Sequence, residues 1–244
     1  MRKISLLVSF SLPLACLAQS IERPTPHPGD ECRHDIIDNL HGREKIAERR
    51  IIVTSVVPGR VTMSVTHRVL VTRETADLTN KTIVYDEDLN AIEQDGIKFA
   101  QPYPRRIYPL QPETRRENVE IEFPGQTGTS RTEKQDARAG TWETRTVPAG
   151  SFPVLTLVWK GWYNSRSPLW RWSGRMQRDI AFSPATWCEI SSTEQVYAPN
   201  ASPWTHRDFI LTSFKQGTDE PKHEIDATLP EQGLILAPRS ESED

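Results

Sequence analysis

Apolar and polar residues alternate along most of this chain, and the alternation is interrupted by recurring turn-forming residues. The clearest run starts at Val61. Val61, Met63, Val65, Val69 and Val71 fall on one side of a period-2 pattern, with Thr62, Ser64, Thr66, Arg68 and Thr72 on the other. Successive side chains of a strand point to opposite faces, so this pattern predicts a half-buried strand. An alternating run over 46–57 precedes it, across Pro58, Gly59 and Arg60. Two such runs joined by a Pro-Gly turn predict a β-hairpin.

The same grammar recurs downstream. Thr82, Ile83, Val84 and Tyr85 lead into the turn-rich stretch 86–90, and 91–99 resumes the alternation. Pro102, Pro104, Pro109 and Pro112 exclude a central strand over 101–112, because proline has no N–H to give to a ladder. Residues 119–123 and 127–134 flank Pro124 and Gly125 as a polar hairpin. Runs at 142–147 and 152–162 flank Pro148, Ala149, Gly150 and Ser151, and runs at 169–182, 187–197 and 206–214 complete the series. Around Ile36, Ile37 and Leu40 the spacing predicts a short helix within 32–41. Strands joined by short turns are antiparallel. The expected fold class is therefore all-β: a single antiparallel β-meander domain over 43–215, half-barrel or sandwich-like, with a short N-terminal helix and a disordered tail.

The flanks differ in kind. Residues 1–18 carry a basic start (Arg2, Lys3), a short apolar core and Ala18 before the polar Gln19, the three parts of a secretory signal peptide cleaved between Ala18 and Gln19. Its apolar run is shorter than the roughly 20 residues that span a bilayer. Cys16 opens an alternative, a lipid-modified cysteine, but Pro13 stands where a lipoprotein leader places leucine. The expected location is periplasmic or secreted, with a lipid anchor on Cys16 as the alternative and the only route to membrane association. Residues 19–42 read as a flexible proline-rich lead-in. Residues 216–244 set Asp219, Glu220, Glu224, Asp226, Glu231, Glu241, Glu243 and Asp244 against Lys222 and Arg239, the composition of a disordered acidic tail.

Charge narrows the partners. Thirty basic and 33 acidic residues leave a net charge of −3, which becomes −5 without Arg2 and Lys3. That balance argues against nucleic acid and leaves an envelope ligand or protein as the partner. No cofactor motif is present, so no cofactor is expected. Cys32 and Cys188 remain after the leader, and an exported chain with two such cysteines is expected to join them as a disulfide. The competing reading is a metal site of Cys32, His34 and His41, which offer thiolate and imidazole within one segment.

Catalytic signatures are lacking: there is neither a Gly-x-Ser-x-Gly elbow nor a His-Glu-x-x-His helix. A hydrolase would have to use His67, on the apolar side of its strand, or His206 near Asp208. A more distinctive feature is the set Trp159, Trp162, Trp170 and Trp172 interleaved with Arg171 and Arg175. Indole faces beside guanidiniums bind ligands by stacking and charge, although an aromatic face packed into a core is the simpler account.

The segment Trp142, Glu143, Thr144 … Val147, Pro148, Ala149, Gly150, Ser151, Phe152 resembles a group of exported Gram-negative bacterial proteins of unknown function. These share a hairpin reading W-E-x-V-x-V-P-A-G-T-F; Ser151 stands where threonine is usual. Phe182, Ser183, Pro184 and Trp187, the final run from Phe209 to Phe214, and the turn Tyr85 to Asn90 are similar to the same group. The resemblance covers roughly 45–215 and implies an antiparallel half-barrel in the periplasm with no established activity. Together these readings point to a non-enzymatic envelope β module that binds an apolar or amphipathic ligand, or a partner protein.

Overall fold

The computed structural model describes residues 20–70, 76–124, 129–169 and 171–217. The leader with Cys16, Ala18 and Gln19, the tail beyond 217, and Trp170 lie outside the described residues. Twelve strands follow one another: β1 (Glu31–Asp38), β2 (Glu44–Val57), β3 (Arg60–Leu70), β4 (Ala76–Tyr85), β5 (Ala91–Gln94), β6 (Ile97–Tyr103), β7 (Arg115–Pro124), β8 (Ser130–Val147), β9 (Gly150–Arg166), β10 (Arg171–Ser183), β11 (Thr186–Tyr197) and β12 (Pro203–Lys215). They form one antiparallel sheet in the order β6-β5-β4-β3-β2-β1-β12-β11-β10-β9-β8-β7. Every strand thus lies beside its sequence neighbour, and the first pairs with the last.

The two outer strands of that order approach each other. Gln101 of β6 donates a side-chain hydrogen bond to the Glu120 carbonyl of β7. The Phe123 ring of β7 packs edge-on against Phe99 (5.9 Å between centroids) and Tyr103 (5.0 Å) of β6. The all-β expectation therefore holds, and the half-barrel curls further than expected, into a nearly closed barrel. Closure hides edge strands that would otherwise template aggregation. Pro102 and Pro104 sit where they are tolerated, on and just past the edge strand β6.

Alternation explains most strands. Val61, Met63 and Val65 are the buried face of β3, as the pattern predicts. Gly150 adopts φ +136°, the conformation its turn requires, and Phe152 packs against the core. Gly174 is fixed by contact instead: a Cβ there would lie 1.9 Å from the Tyr197 carbonyl oxygen and 2.9 Å from the Tyr163 hydroxyl.

Two expectations are corrected. Residues 32–41 do not form a helix; β1 pairs with β12 on one side and β2 on the other. The adjacent Ile36 and Ile37 imitate helical spacing, while the true buried face, Cys32, His34 and Ile36, carries a polar residue that masks its period of 2. The lead-in is also held rather than free. Ile21 pairs with Leu110, Arg23 reaches Glu87 and Asp88, and the Asp30 carboxylate accepts from the backbone N–H of His27 and Gly217.

The connection from β6 to β7 folds inward as a plug. Its Ile107 and Leu110, with Ile21, pack on Ala137, Ala139, Leu155, Leu157, Trp159, Ile180 and Phe182. Small alanines on the buried face of β8 leave room for it. A second core gathers Val53, Met63, Leu89, Trp187, Ile190 and Leu211 around the disulfide between Cys32 and Cys188.

Candidate functional site

The barrel interior is not uniformly apolar. A ladder of charged side chains runs through it, and its members come from strands and from the plug. On β8, Glu133 and Gln135 occupy the buried face, with the Gln135 amide donating to the Glu133 carboxylate. Glu133 lies 2.8 Å from Arg131 and 3.4 Å from Arg178, and Arg178 also reaches Glu194 at 3.5 Å. Burial outweighs those arginines and raises the Glu133 pKa to about 7. The Arg178 guanidinium stacks over Tyr103 at 5.4 Å, spanning from β10 to the far edge strand.

Deeper, the ladder ends at Glu189. Two register shifts in the β10–β11 ladder flank its pairing with Phe182, and they bury Trp187, Cys188, Glu189 and Ile190 in succession. The Glu189 carboxylate meets Arg105 of the plug at 3.3 Å and Arg49 of β2 at 3.5 Å, and accepts from the Ser192 hydroxyl at 3.2 Å. Burial alone would raise its pKa, but Arg105, Arg49 and Arg106 overcome that and hold it well below the carboxylate range.

His34 is buried beside this group and its Nε2 lies 2.8 Å from the Glu189 backbone carbonyl. That carbonyl only accepts, so Nε2 carries the proton and Nδ1 is left as an acceptor. Burial, then the positive field of Arg49, lowers the His34 pKa to about 3, so the ring is neutral at pH 7.

These residues line a cavity of about 50 Å³, together with Ile51, Met63, Tyr85, Leu89, Arg106, Trp187 and Cys188. The lining combines apolar side chains with three arginines. Among the described residues, His34 Nδ1, Arg49 Nε, Arg105 Nε, Arg106 Nη1 and Trp187 Nε1 are buried without a hydrogen-bond partner. Buried polar groups are ordinarily satisfied. Three guanidiniums and one carboxylate, with neutral His34, give the lining a net charge of +2. Such a lining attracts an anion.

The residues singled out from sequence are distributed differently. Trp159 is core, donating from Nε1 to the Arg105 carbonyl at 3.3 Å. Trp162 is exposed on the outer wall opposite Arg175, and Trp172 stands at the barrel lip, donating to the Tyr163 hydroxyl at 2.8 Å. Arg171 and Arg175 are exposed, the latter 5.5 Å over the Tyr197 ring. Among the described residues, these side chains do not line one common cavity. The Cys32, His34 and His41 metal set is dispersed: Cys32 is in the disulfide, His34 faces Glu189, and His41 bonds Asp38 at an exposed turn. Among the described residues no three His, Cys, Asp or Glu side chains are placed to hold a metal.

Among the described residues, neither candidate histidine is paired with a carboxylate. His67 is half-buried, and desolvation with Arg49 and Lys81 lowers its pKa to about 4. His206 contacts Gln195, whereas Asp208 accepts from Thr193.

No protein-family profile matches the chain, and no curated protein does. Among solved structures, it is similar to a candidate exported protein of Bacteroides fragilis with a YmcC-like fold, at 11% identity and TM-score 0.40 over 81% of this chain and 100% of that one. It is also similar to a candidate lipoprotein of Parabacteroides distasonis, at 14% identity and TM-score 0.41 over 78% of this chain and 97% of that one.

Proposed function

We propose that the chain is a non-enzymatic binding module of the bacterial cell envelope, exported to the periplasm or beyond, whose barrel holds a small organic anion. The observation that carries this reading is the lining with a net charge of +2 and five buried polar atoms without a partner among the described residues. A carboxylate would take hydrogen bonds from Arg49, Arg105, Arg106 and the Trp187 indole, and charge-assisted bonds of this kind are the strong ones. Ile51, Met63 and Leu89 offer an apolar flank, and the His34 Nδ1 acceptor suits a ligand hydroxyl. The ligand class is therefore a short carboxylate, amphipathic on a small scale. Export is supported by the composition of residues 1–18 and by the disulfide, which persists in oxidising compartments.

Isothermal titration with formate, acetate and glycolate, anions small enough for a cavity of about 50 Å³, tests this. Ligands of about three to five heavy atoms are bounded at about −1.5 kcal/mol per atom, so micromolar to millimolar affinities are the range to search. Two variants separate binding from folding. Arg105→Gln removes a charge. Trp187→Phe removes an N–H that has no partner among the described residues, together with part of a buried ring, so its unfolding midpoint is measured beside its affinity and the loss of binding must exceed what the lost packing explains. Absence of binding by all three anions to 10 mM (about −2.7 kcal/mol at that limit), or equal binding by wild type and Trp187→Phe, overturns the reading.

A further inference from the structure

The opposite end of the barrel carries an unusual combination of apolar and cationic surface. Consecutive antiparallel strands place the reversals at 39–43, 167–169 and 198–202 at one end, and those at 58–59, 148–149 and 184–185 at the other. The anion cavity and the lead-in belong to the second end, where Gly29 bonds Val53 and Ile21 bonds Leu110. At the first end, Leu169 is 93% exposed, Trp204 and Trp162 are each 59% exposed, and Trp172 is 38% exposed. The Trp172 and Trp204 rings lie 5.3 Å apart, and Trp172 is anchored by its bond to Tyr163. This is a fixed aromatic pair at the lip beside a projecting leucine.

Its charge is one-sided. From 161 to 178 the chain holds Arg166, Arg171, Arg175 and Arg178 with no Asp or Glu. Arg178 is used inside the barrel; the other three make no ion pair with a described residue. Arg166 and Arg171 are direct cross-strand partners in the β9–β10 ladder. Like charges facing each other on a ladder are destabilising, so the pair calls for an anion from outside. Lower on the same wall, Arg175 pairs with Trp162. Exposed acids at this end stand away from these strands: Glu120 and Glu122 lie on β7, two strands from β9, and Glu44 lies on β2, with β1, β12 and β11 between it and β10.

We infer that this end docks on an anionic lipid bilayer. Leu169 and the Trp172–Trp204 pair enter the interface, where amphipathic indoles are favoured, while Arg166 and Arg171 meet lipid phosphates and Arg175 with Trp162 forms a collar at headgroup level. A bilayer supplies what the tip requires, a dense array of phosphates over an apolar layer. The inference is independent of the anion cavity and of any lipid on Cys16, since the lead-in is held at the other end.

Co-sedimentation with vesicles of phosphatidylglycerol and phosphatidylcholine, against phosphatidylcholine alone, tests it. Wild type and variants are matched at their N-terminus, so that the leader contributes equally to both. The wild type partitions onto the anionic vesicles and is released by salt. Each arginine near such a surface contributes roughly fivefold, so Arg166→Gln with Arg171→Gln lowers partitioning by about 25-fold. Leu169→Asp lowers it as well. All three positions are solvent-exposed, and unchanged thermal midpoints verify folding. No preference of the wild type for anionic vesicles overturns the inference, as does partitioning that the variants leave unaltered. Self-association by light scattering that the variants abolish, with vesicle binding unchanged, would assign the tip to a second copy of the chain instead.

Discussion

Replacing Glu189 by glutamine tests whether the charged ladder is organised around this one carboxylate. The substitution is nearly isosteric, and the amide oxygen can still accept from Ser192, so it removes charge rather than volume. Arg49 and Arg105 then lose their shared counter-ion while Arg49 stays buried. Breaking a buried pair by removing one partner costs about 3–5 kcal/mol. The separations of 3.3 and 3.5 Å are longer than ideal charge-assisted bonds, so the lower end, about 3 kcal/mol, is expected at pH 7. With a urea dependence of about 2–3 kcal/mol per molar, the unfolding midpoint falls by roughly 1–1.5 M. The pH dependence gives a second signature. The folded-state pKa of Glu189 is depressed from the ordinary value of 4.5, so its stabilisation is complete above that value and is lost as pH falls toward the folded pKa. The gap between wild type and Glu189→Gln therefore narrows from pH 5 to pH 3 (about two units around the ordinary carboxylate pKa). Glu133 titrates near pH 7 in both proteins and largely cancels from the difference. Urea titrations followed by tryptophan fluorescence at several pH values measure this. Equal midpoints at pH 7, or a gap that stays constant on acidification, would refute the ion-pair account.

Two further expectations concern the frame around the cavity. Cys32→Ala with Cys188→Ala opens a link across 156 residues of sequence. The chain-entropy account assigns such a loop about 5 kcal/mol, so urea unfolding should show a loss of that order, and a loss below about 1 kcal/mol contradicts it. Gly174→Ala forces a Cβ against the Tyr197 carbonyl and the Tyr163 hydroxyl. A cost of about 1–3 kcal/mol is expected from overpacking, whereas Gly140→Ala, whose nearest neighbour would be 3.6 Å away, should change the same unfolding midpoint far less; equal effects would show that the lip is not tightly packed.

The hairpins were readable because alternation and turn chemistry agree there: Val57 pairs with Arg60 across Pro58 and Gly59, and Val147 pairs with Gly150 across Pro148 and Ala149. Where the buried face is polar, that agreement fails. His34 on β1, and Glu133 and Gln135 on β8, occupy positions a hydrophobic pattern assigns to apolar residues. The anion cavity was hidden for a further reason. His34, Arg49, Arg105 and Glu189 are far apart in sequence, and only sheet order, an inward connection and two register shifts in one ladder bring them together. One clue was present. Arg49 shares its strand face with Ala47, Ile51 and Val53, and a charge in the middle of an apolar face needs a partner. The Trp/Arg segment was legible in composition but not in direction: Trp159 turns into the core, and Trp162, three residues later, turns to solvent.

The balance of charge in the cavity decides between a structural and a binding role. Ion pairs are a weak device for stability, since apolar residues of similar volume often serve as well or better. A purely structural ladder would match acids to bases, as the stretch of Glu133 and Glu194 with Arg131 and Arg178 does, two carboxyls to two guanidiniums. The Glu189 end is not: three guanidiniums face one carboxylate, and the only histidine is held neutral. Unfilled, that excess charge opposes folding; filled by an anion, it becomes stabilising in proportion to ligand occupancy. Glu189→Gln should therefore bind a carboxylate more tightly than the wild type even as it folds less stably without one. That opposite movement of affinity and stability is what a network built only to hold the plug would not produce.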